Sequence, residues 1–327
     1  MTVRDSAFQE SRDIHRLCVI ASGEDPTAMK IFDRLTDWQK EAGKDLNIEV
    51  LRLDASDSGV VWKDFGIPSA PPQDQLPAVV LAGRHHADGR SFFIDYWMPG
   101  PSDEELTALA GSTTRGKLQE LLPKSIAVLL YVPGTGDGSG AAEEVLNKTV
   151  AKWKEIGPVE IVRVDRDDES ERLLRAFTGV QPQGPDWVGI VFGRGKFMNP
   201  PLEGTQITTL AVDETVEAVV AKCTCLNQAA KMGVDLPMRW AEALDEQVVK
   251  IAVSTEAEAD ATKVSDAAVA ELEELLTKNT DAEEPLLAST APVEESGGGL
   301  QTALLVLAGL FVALVVSTVA VLRRRHA

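Results

Sequence analysis

The amino-acid sequence predicts an α/β protein of two similar domains, followed by one membrane-spanning helix. Three observations support this organisation. β-Prone apolar runs alternate with helical segments through the first 240 residues. The second part of this region repeats the first at an offset of about 110 residues. Residues 300–322 then form an apolar run without a single charge, which separates an anchor from the water-soluble part.

The first domain is predicted over residues 14–122, as strand, helix, strand, helix, two strands and a helix. Its strands are expected at His15–Ser22, Asn47–Leu53, Leu76–Leu81 and Ser91–Trp97. Its helices are expected to begin at Glu24, where Pro26 suits the first turn, to cover Asp57–Phe65, and to run from Asp103 to Leu122 with a break near Gly111. Residues 1–13 are polar, and we expect them to be loose.

The second domain is predicted over residues 123–240 because the same order of elements returns. Residues 46–59 align with 159–170, and residues 75–93 align with 184–198. The predicted strands are Ser125–Val132, Val159–Val164 and Val188–Phe192, with a short strand from Phe197, and the helices are Ala141–Ile156, Glu169–Phe177 and Val212–Lys222. A repeat of this length favours two domains in tandem over one large sheet.

This order of elements, with a proline before the third strand, resembles the thioredoxin-like fold. Pro77 marks that position in the first domain and Pro185 in the second. In that family the proline is cis and faces the active site, and a Cys-x-x-Cys motif follows the first strand. Neither the matching residues 21–26 nor the loop 133–140 contains a cysteine. The resemblance therefore implies redox-inert domains, since disulfide exchange needs a thiolate and a resolving partner.

The glycine-rich loop 133–140 (PGTGDGSG) lies between a strand and a helix, where a helix N-terminus can bind an anion. It lacks the GK[ST] of a P-loop and the spacing of G-x-G-x-x-G. Asp137, Glu143 and Glu144 would also repel a phosphate. We therefore expect no nucleotide and no other cofactor.

The chain has three cysteines, of which Cys18 is expected to be a core residue inside the first strand. Cys223 and Cys225 leave three interpretations open: a strained and easily reduced disulfide, half of a soft-metal site, or two half-buried thiols. A structural metal site usually has four ligands, so the pair is only a weak candidate and no metal is assigned. His85 and His86 are expected in an exposed turn, with a metal pair as the alternative.

Composition and motifs exclude several functions. The sequence has no Ser-His-Asp order, no H-E-x-x-H and no paired carboxylates in a cleft-like setting, so we assign no catalytic residue and expect no enzyme. The net charge of −19 argues against nucleic acid, whose phosphates need clustered Lys and Arg. Residues 241–299 carry a net charge of −12, which identifies them as an acidic, partly helical linker.

Residues 300–322 are predicted to cross a lipid bilayer, because 23 helical residues span about 34 Å. The basic tail 323–327 contains Arg323, Arg324 and Arg325, which favours the cytoplasmic side for the tail and the outer, periplasmic side for the domains. Residues 1–16 lack the pattern of a signal peptide, which favours the cytoplasmic side instead. We predict a single-pass membrane protein and favour the outer side for its domains.

The motif FGRG (192–195), the C-x-C at 223–225 and GVDLPM (233–238) before Trp240 resemble an uncharacterised family of bacterial envelope proteins. That family has no assigned reaction. The sequence thus favours a membrane-anchored, non-catalytic interaction or scaffold protein, whose partners are expected to be other membrane or envelope proteins. The alternative is an envelope thiol-redox or soft-metal protein that acts through Cys223 and Cys225.

Overall fold

The computed structural model describes residues 1–67, 69–136, 140–222 and 228–249. These residues belong to one compact unit, Met1–Val264. Cys223, Cys225, most of the acidic linker and the predicted membrane segment 300–322 with its tail lie outside them. No helix within the described ranges is both long and apolar enough to cross a membrane.

The first lobe contains a four-stranded sheet with helices joined to it. After a short helix α1, the elements follow in the predicted order. Their bounds are α1 (Val3–Ala7), β1 (His15–Ala21), α2 (Pro26–Lys40), β2 (Ile48–Asp54), β3 (Ala78–Arg84), β4 (Ser91–Trp97), α3 (Asp103–Ala110) and α4 (Thr113–Leu121). The sheet order is β2-β1-β3-β4, with β1 parallel to β2 and antiparallel to β3, so β4 is an edge strand.

The second lobe repeats this sheet and extends it by two short strands, β9 and β10. Its elements are β5 (Ala127–Val132), α5 (Ala141–Trp153), β6 (Val159–Arg163), α6 (Arg172–Thr178), β7 (Trp187–Phe192), β8 (Lys196–Met198), β9 (Leu202–Glu203), α7 (Thr209–Val220), α8 (Gln228–Met232), β10 (Gly233–Asp235) and α9 (Glu242–Asp245). The sheet order is β10-β8-β7-β5-β6, and β9 also pairs with β7. The prediction of an α/β protein with two similar sheets is confirmed.

The expectation that residues 1–13 are loose is wrong. Thr2 caps α1, and Val3 and Ala7, one turn apart, are buried in the core of the second lobe. Arg4 is buried as well, and its guanidinium donates to the carbonyls of Ser125 at 2.6 Å and Pro123 at 2.9 Å. The apolar side of one short helix therefore ties the start of the chain to its second half.

Of two smaller expectations, one differs from the structure and one agrees with it. The helix expected over Asp57–Phe65 is a single 3₁₀ turn, Trp62–Phe65, which ends at Gly66 in the left-handed conformation. This turn is only one residue longer than a full 3₁₀ turn of about three residues. It packs on the sheet through Trp62 and Phe65. The break expected near Gly111 is present, because α3 ends at Ala110 and α4 begins at Thr113.

The two lobes share an interface around α6. Leu173 of α6 packs into the core of the first lobe, and Phe177 makes edge-on contacts with Phe92 at 5.7 Å and with Phe197 at 6.2 Å between ring centroids. Arg172 binds Asp95 of β4 at 2.8 Å. One helix of the second lobe thus serves as a core element for both sheets.

Candidate functional site

In the first lobe, the position of the family's redox motif is a polar turn at the end of β1. Asp25 caps α2 by accepting from the N–H of Thr27 at 2.8 Å. The Asp54 carboxylate accepts from the N–H of Gly23 at 3.2 Å, which closes the turn from the neighbouring strand. The Leu76–Pro77 peptide bond, immediately before β3, is cis. The side chains at this position are therefore those of a helix cap.

Cys18 lies inside β1 and is fully buried among apolar side chains. Burial raises the pKa of its thiol to about 12, although Arg16 acts in the opposite direction. A thiol with such a pKa holds its proton at neutral pH and is a poor nucleophile. Cys18 is a core residue, as its place in the strand predicts.

In the second lobe, the same position is filled by the carboxylate of Asp186, the residue directly before β7. It accepts from the backbone N–H groups of Gly134 at 2.7 Å, Gly140 at 3.1 Å and Ala142 at 3.3 Å. The Tyr131 hydroxyl donates to it at 3.2 Å. Gly140, the N-cap residue of α5, has no side chain that could accept from these N–H groups. Asp186 caps the helix instead, from the start of the neighbouring strand β7.

Burial alone would raise the pKa of Asp186, but the N–H groups of Gly134, Ala142 and Gly140 outweigh burial and lower it. The carboxylate is therefore ionised at neutral pH. It lies in a groove of about 820 Å³ between the loop before α5 and the start of β7. The anion position at this helix N-terminus is thus occupied by a side chain of the protein itself.

The two marker prolines do not have equivalent positions. Pro77 directly precedes β3, whereas Pro185 is separated from β7 by Asp186, and the Gly184–Pro185 bond is not among the cis bonds of the described residues. Sequence reasoning did not identify Asp186. The signal was the alignment itself, which places Asp186 one residue closer to the strand than the proline. Asp137, which was expected to repel phosphate, lies outside the described residues.

A cluster of buried charges joins the two lobes. Asp13 and Asp235 each donate their backbone N–H to the other's carboxylate at 2.8 Å. The Lys196 ammonium lies 3.7 Å from Asp13 and 3.5 Å from Asp235, and all three side chains are almost completely buried. Burial would raise the pKa of Asp13, but Lys196 and the N–H of His86 lower it instead.

His15 and His86 complete this cluster from the first lobe. The Nδ1 atom of His15 accepts from the N–H of Arg84 at 3.2 Å, so Nε2 carries the proton that is donated to the carbonyl of Asp235 at 2.7 Å. Burial lowers the pKa of His15 to about 4, which keeps the ring neutral. His86 Nδ1 contacts the Asp13 carboxylate at 2.7 Å.

The motif FGRG forms the turn that delivers Lys196 to this cluster. Gly193 and Gly195 both have left-handed backbones, with φ of 57° and 98°. A Cβ atom at Gly193 would lie 2.3 Å from Ala7, and one at Gly195 would lie 2.5 Å from the sulfur of Met238. The segment GVD supplies β10, in which Asp235 pairs with Lys196 of β8. The motif residues within the described ranges therefore build the contact between the lobes.

The residues considered as metal ligands, the pair His85 and His86 and the pair Cys223 and Cys225, do not form a recognisable metal site among the described residues. Within the described ranges, no group of three or more His, Cys, Asp or Glu side chains could hold a metal ion. His85 is buried, so the expectation of an exposed turn is wrong for this residue, and its Nδ1 lies 2.8 Å from Asp88. Cys223 and Cys225 lie outside the described residues.

No protein-family model and no curated protein matches the sequence, so no match supports the resemblance to an envelope family. Among solved structures, the chain is similar to the NTD_N/C domain of alkylhydroperoxide reductase AhpF from Enterococcus faecalis, with 15% identity and a TM-score of 0.22 over 65% of this chain and 97% of that chain. It is also similar to zinc-bound human ERp44, with 10% identity and a TM-score of 0.23 over 70% of this chain and 62% of that chain. The first two thioredoxin domains of Saccharomyces cerevisiae Eps1p match with 13% identity and a TM-score of 0.22 over 66% and 96% of the two chains.

Proposed function

We propose that this chain is a membrane-anchored, non-catalytic interaction protein, in which two redox-inert thioredoxin-like lobes present a fixed surface to partner proteins. The observation that carries the proposal is the carboxylate of Asp186. A helix N-terminus activates a cysteine in oxidoreductases because its N–H groups stabilise the thiolate. In the second lobe the N–H groups of Gly134, Gly140 and Ala142 already bind Asp186, so a thiolate or another anionic reaction partner would have to compete with this carboxylate for them.

The buried charges between the lobes support a scaffold. An Asp–Lys–Asp cluster without water contact resists separation, because opening the interface would break ion pairs and hydrogen bonds together. Buried charged networks are also a means of selecting one arrangement over its alternatives. Two lobes in one arrangement suit a protein that holds partners at set positions, whereas a catalyst of disulfide exchange needs an accessible thiol.

The membrane part of the proposal rests on the sequence. The apolar residues 300–322 anchor the chain, and the acidic residues that precede them form a spacer between lobes and bilayer. The three arginines of the tail favour the outer side for the lobes under the positive-inside rule. The resemblance of the FGRG, C-x-C and GVD segments to envelope proteins agrees with this side.

The first experiment is an insulin-reduction assay with the full-length chain in detergent, with a catalytic thioredoxin as the positive control. We expect no turnover above that of the reductant alone. Turnover that disappears in the Cys223→Ser/Cys225→Ser variant would replace the proposal with the thiol-redox alternative. Turnover that survives in this variant would refute the redox-inert assignment of the lobes.

Membrane attachment is tested by fractionating cells that express the full chain or a variant truncated after residue 299. The full chain is expected in the membrane pellet after a high-salt wash, and the truncated variant in the soluble fraction. Full-length chain in the soluble fraction would refute the anchor. The same cells, labelled with a membrane-impermeant maleimide, report the side, because Cys18 is buried and only Cys223 and Cys225 remain to react.

A further inference from the structure

The edge strand β4 carries an exposed pair of aromatic side chains. Phe93 and Tyr96 are 49% and 54% exposed, and the following Met98 is 53% exposed. The two rings lie 6.3 Å apart between centroids, so they form one patch. Phe93 pairs with Ala82 and Tyr96 with Val80, on the side of the sheet where Trp62 and Phe65 of the 3₁₀ turn pack, yet both rings remain exposed.

The second lobe shows what covers the corresponding strand. In the second lobe, β8 corresponds to β4. The strand β10 pairs with β8 in antiparallel orientation, and the residue pairs are Gly233–Met198, Val234–Phe197 and Asp235–Lys196. Phe197 is buried under this arrangement. Among the described residues of the first lobe, β4 has β3 as its one strand neighbour. The internal repeat therefore identifies an extended strand as the element that fits this edge.

The free part of the edge can be located residue by residue. At the start of β4, Gly66 packs so closely that a Cβ atom on it would lie 2.6 Å from the carbonyl oxygen of Phe92. On the side of α6, Arg172 contacts the side chain of Asp95. From Phe93 to Met98, the backbone makes no hydrogen bond outside the sheet among the described residues, and the N–H of Tyr96 donates to Asp95 Oδ1 at 2.9 Å.

The acidic side chains beside this edge favour a partner segment with positive charge. A groove of about 450 Å³ beside the end of β4 is lined by Asp95, Glu104, Glu105 and Glu169 against the single cation Arg172. Arg172 already binds Asp95 and Glu105, and within the described ranges no Lys or Arg pairs with Glu104. A second copy of this chain, with its net charge of −19, would bring further negative charge to the edge.

We propose that the edge of β4 from Phe93 to Met98 binds an extended, basic segment of a partner protein by antiparallel strand addition. Main-chain hydrogen bonds supply affinity in this mode, and side chains at alternate positions supply specificity. Apolar residues of the segment cover Phe93 and Tyr96, while its Lys or Arg side chains reach Glu104 in the groove. The inference rests on the proposed function, since it names the partner's chemistry and the place where it docks.

Native edges are often protected by bulges and charges, and β4 has both, a register shift opposite Leu81 and Ala82 and the carboxylate of Asp95. The carboxylate opposes pairing with another acidic chain but not with a basic strand, because Lys or Arg side chains neutralise it. The bulge acts through backbone geometry, whatever the charge of the partner. The charge that protects this edge is therefore also the source of the proposed selectivity.

The experiment is hydrogen exchange, followed by mass spectrometry, on the full-length chain with a short synthetic peptide of alternating lysine and valine. A peptide of alternating glutamate and valine is the control probe. The variant is Phe93→Ser/Tyr96→Ser, and the matched control is Leu210→Ser, which removes a side chain that is 68% exposed on α7 of the other lobe. We expect the basic peptide to slow amide exchange within residues 93–98, and its dissociation constant to rise about tenfold in the double variant and to stay within about twofold in the control.

Protection elsewhere in the chain, no protection, or equal protection by the acidic peptide would overturn the inference. A peptide-free chain that sediments as a dimer, and as a monomer after Phe93→Ser/Tyr96→Ser, would assign the edge to a second copy and would overturn it as well. The wild-type footprint needs no variant, so misfolding of the double variant leaves the test intact. None of these results affects the insulin assay, which tests the proposed function separately.

Discussion

His15 makes the stability of the two-lobe unit depend on pH in the mildly acidic range. Its ring is fully buried, Nδ1 accepts from Arg84 and Nε2 donates to Asp235, so both nitrogens are engaged in the neutral form. Burial lowers its pKa to about 4 from an ordinary value of 6.5. The folded chain therefore keeps a neutral ring at pH values at which the unfolded chain has already bound a proton.

The sign follows from proton uptake. Between pH 6.5 and 4 the unfolded state binds more protons at His15 than the folded state, so the free energy of unfolding falls as the pH falls. With pKa values of 4 and 6.5, the loss from this residue relative to neutral pH is about 1.3 kcal/mol at pH 5.5 and about 2.5 kcal/mol at pH 4.5. Asp13, whose pKa is lowered, adds a further loss in more acidic solution, because its stabilising charge is present only above its unfolded-state pKa.

The assay is urea unfolding of wild type and His15→Gln at pH 7.5, 5.5 and 4.5, at constant ionic strength. Glutamine keeps a polar group but does not titrate, so the difference between the two chains isolates the contribution of this ring. We expect the variant to be less stable at pH 7.5 and to lose about 1.3 kcal/mol less than wild type on going to pH 5.5. His86→Gln is the matched control, since that histidine is partly exposed and contacts Asp13.

The reasoning is refuted if wild type and His15→Gln lose the same stability between pH 7.5 and 4.5. Equal slopes would mean that the buried ring binds its proton as readily in the folded chain as in the unfolded one. If His86→Gln removes the slope instead, the pH dependence belongs to the His86–Asp13 contact. The three chains therefore distinguish the two histidines of the cluster.

Other changes test the remaining contacts. Asp186→Ala should cost about 2–4 kcal/mol by freeing buried N–H groups. Sulfate stabilises folded chains in general, but its gain over chloride at equal ionic strength should be larger in the variant than in wild type, and equal gains would contradict the anion position. Lys196→Met should cost about 3–5 kcal/mol in urea unfolding, because it leaves two buried carboxylates without a cation, and a neutral result would contradict that role. Gly195→Ala should destabilise by about 1–3 kcal/mol, whereas Gly116→Ala, in open space on α4, should stabilise by about 0.5–1 kcal/mol, both measured by thermal unfolding. Cys18 should resist maleimide in the folded chain and react in urea; rapid reaction without urea would contradict its burial.

The order of elements could be predicted because each sheet strand is a short apolar run with its own turn signals. The strands around Cys18 and Leu129 are buried on both faces, so their sequences are continuously apolar. The break at Gly111 was predictable from the glycine between two helical patterns. The 3₁₀ turn at residues 62–65 was not, because a pattern of this length does not distinguish one turn from a short helix.

The candidate sites could hardly be predicted from the sequence. Asp13 and Asp235 are 222 residues apart, and nothing local marks either residue as buried. The segments FGRG and GVD stand out in the sequence, but their effect is to position Lys196 and Asp235 against Asp13 of the other lobe, which only the assembled fold brings near. The capping role of Asp186 was equally unpredictable from the sequence, since a single aspartate before a strand is an ordinary turn residue.

The two copies of the repeat differ in how they treat two possible binding places, the N-terminus of the first helix and the edge strand of the sheet. In the second lobe, Asp186 closes the helix N-terminus and β10 covers the edge strand, so two places where a partner could bind are occupied by the chain itself. In the first lobe, the edge of β4 has no covering strand among the described residues and exposes Phe93 and Tyr96. Covering these two aromatic side chains with apolar groups would be favourable, since it removes apolar surface from water. Under the proposed function, this difference is the reason for expecting partners at the first lobe, while α1 and the buried charges stabilise the second.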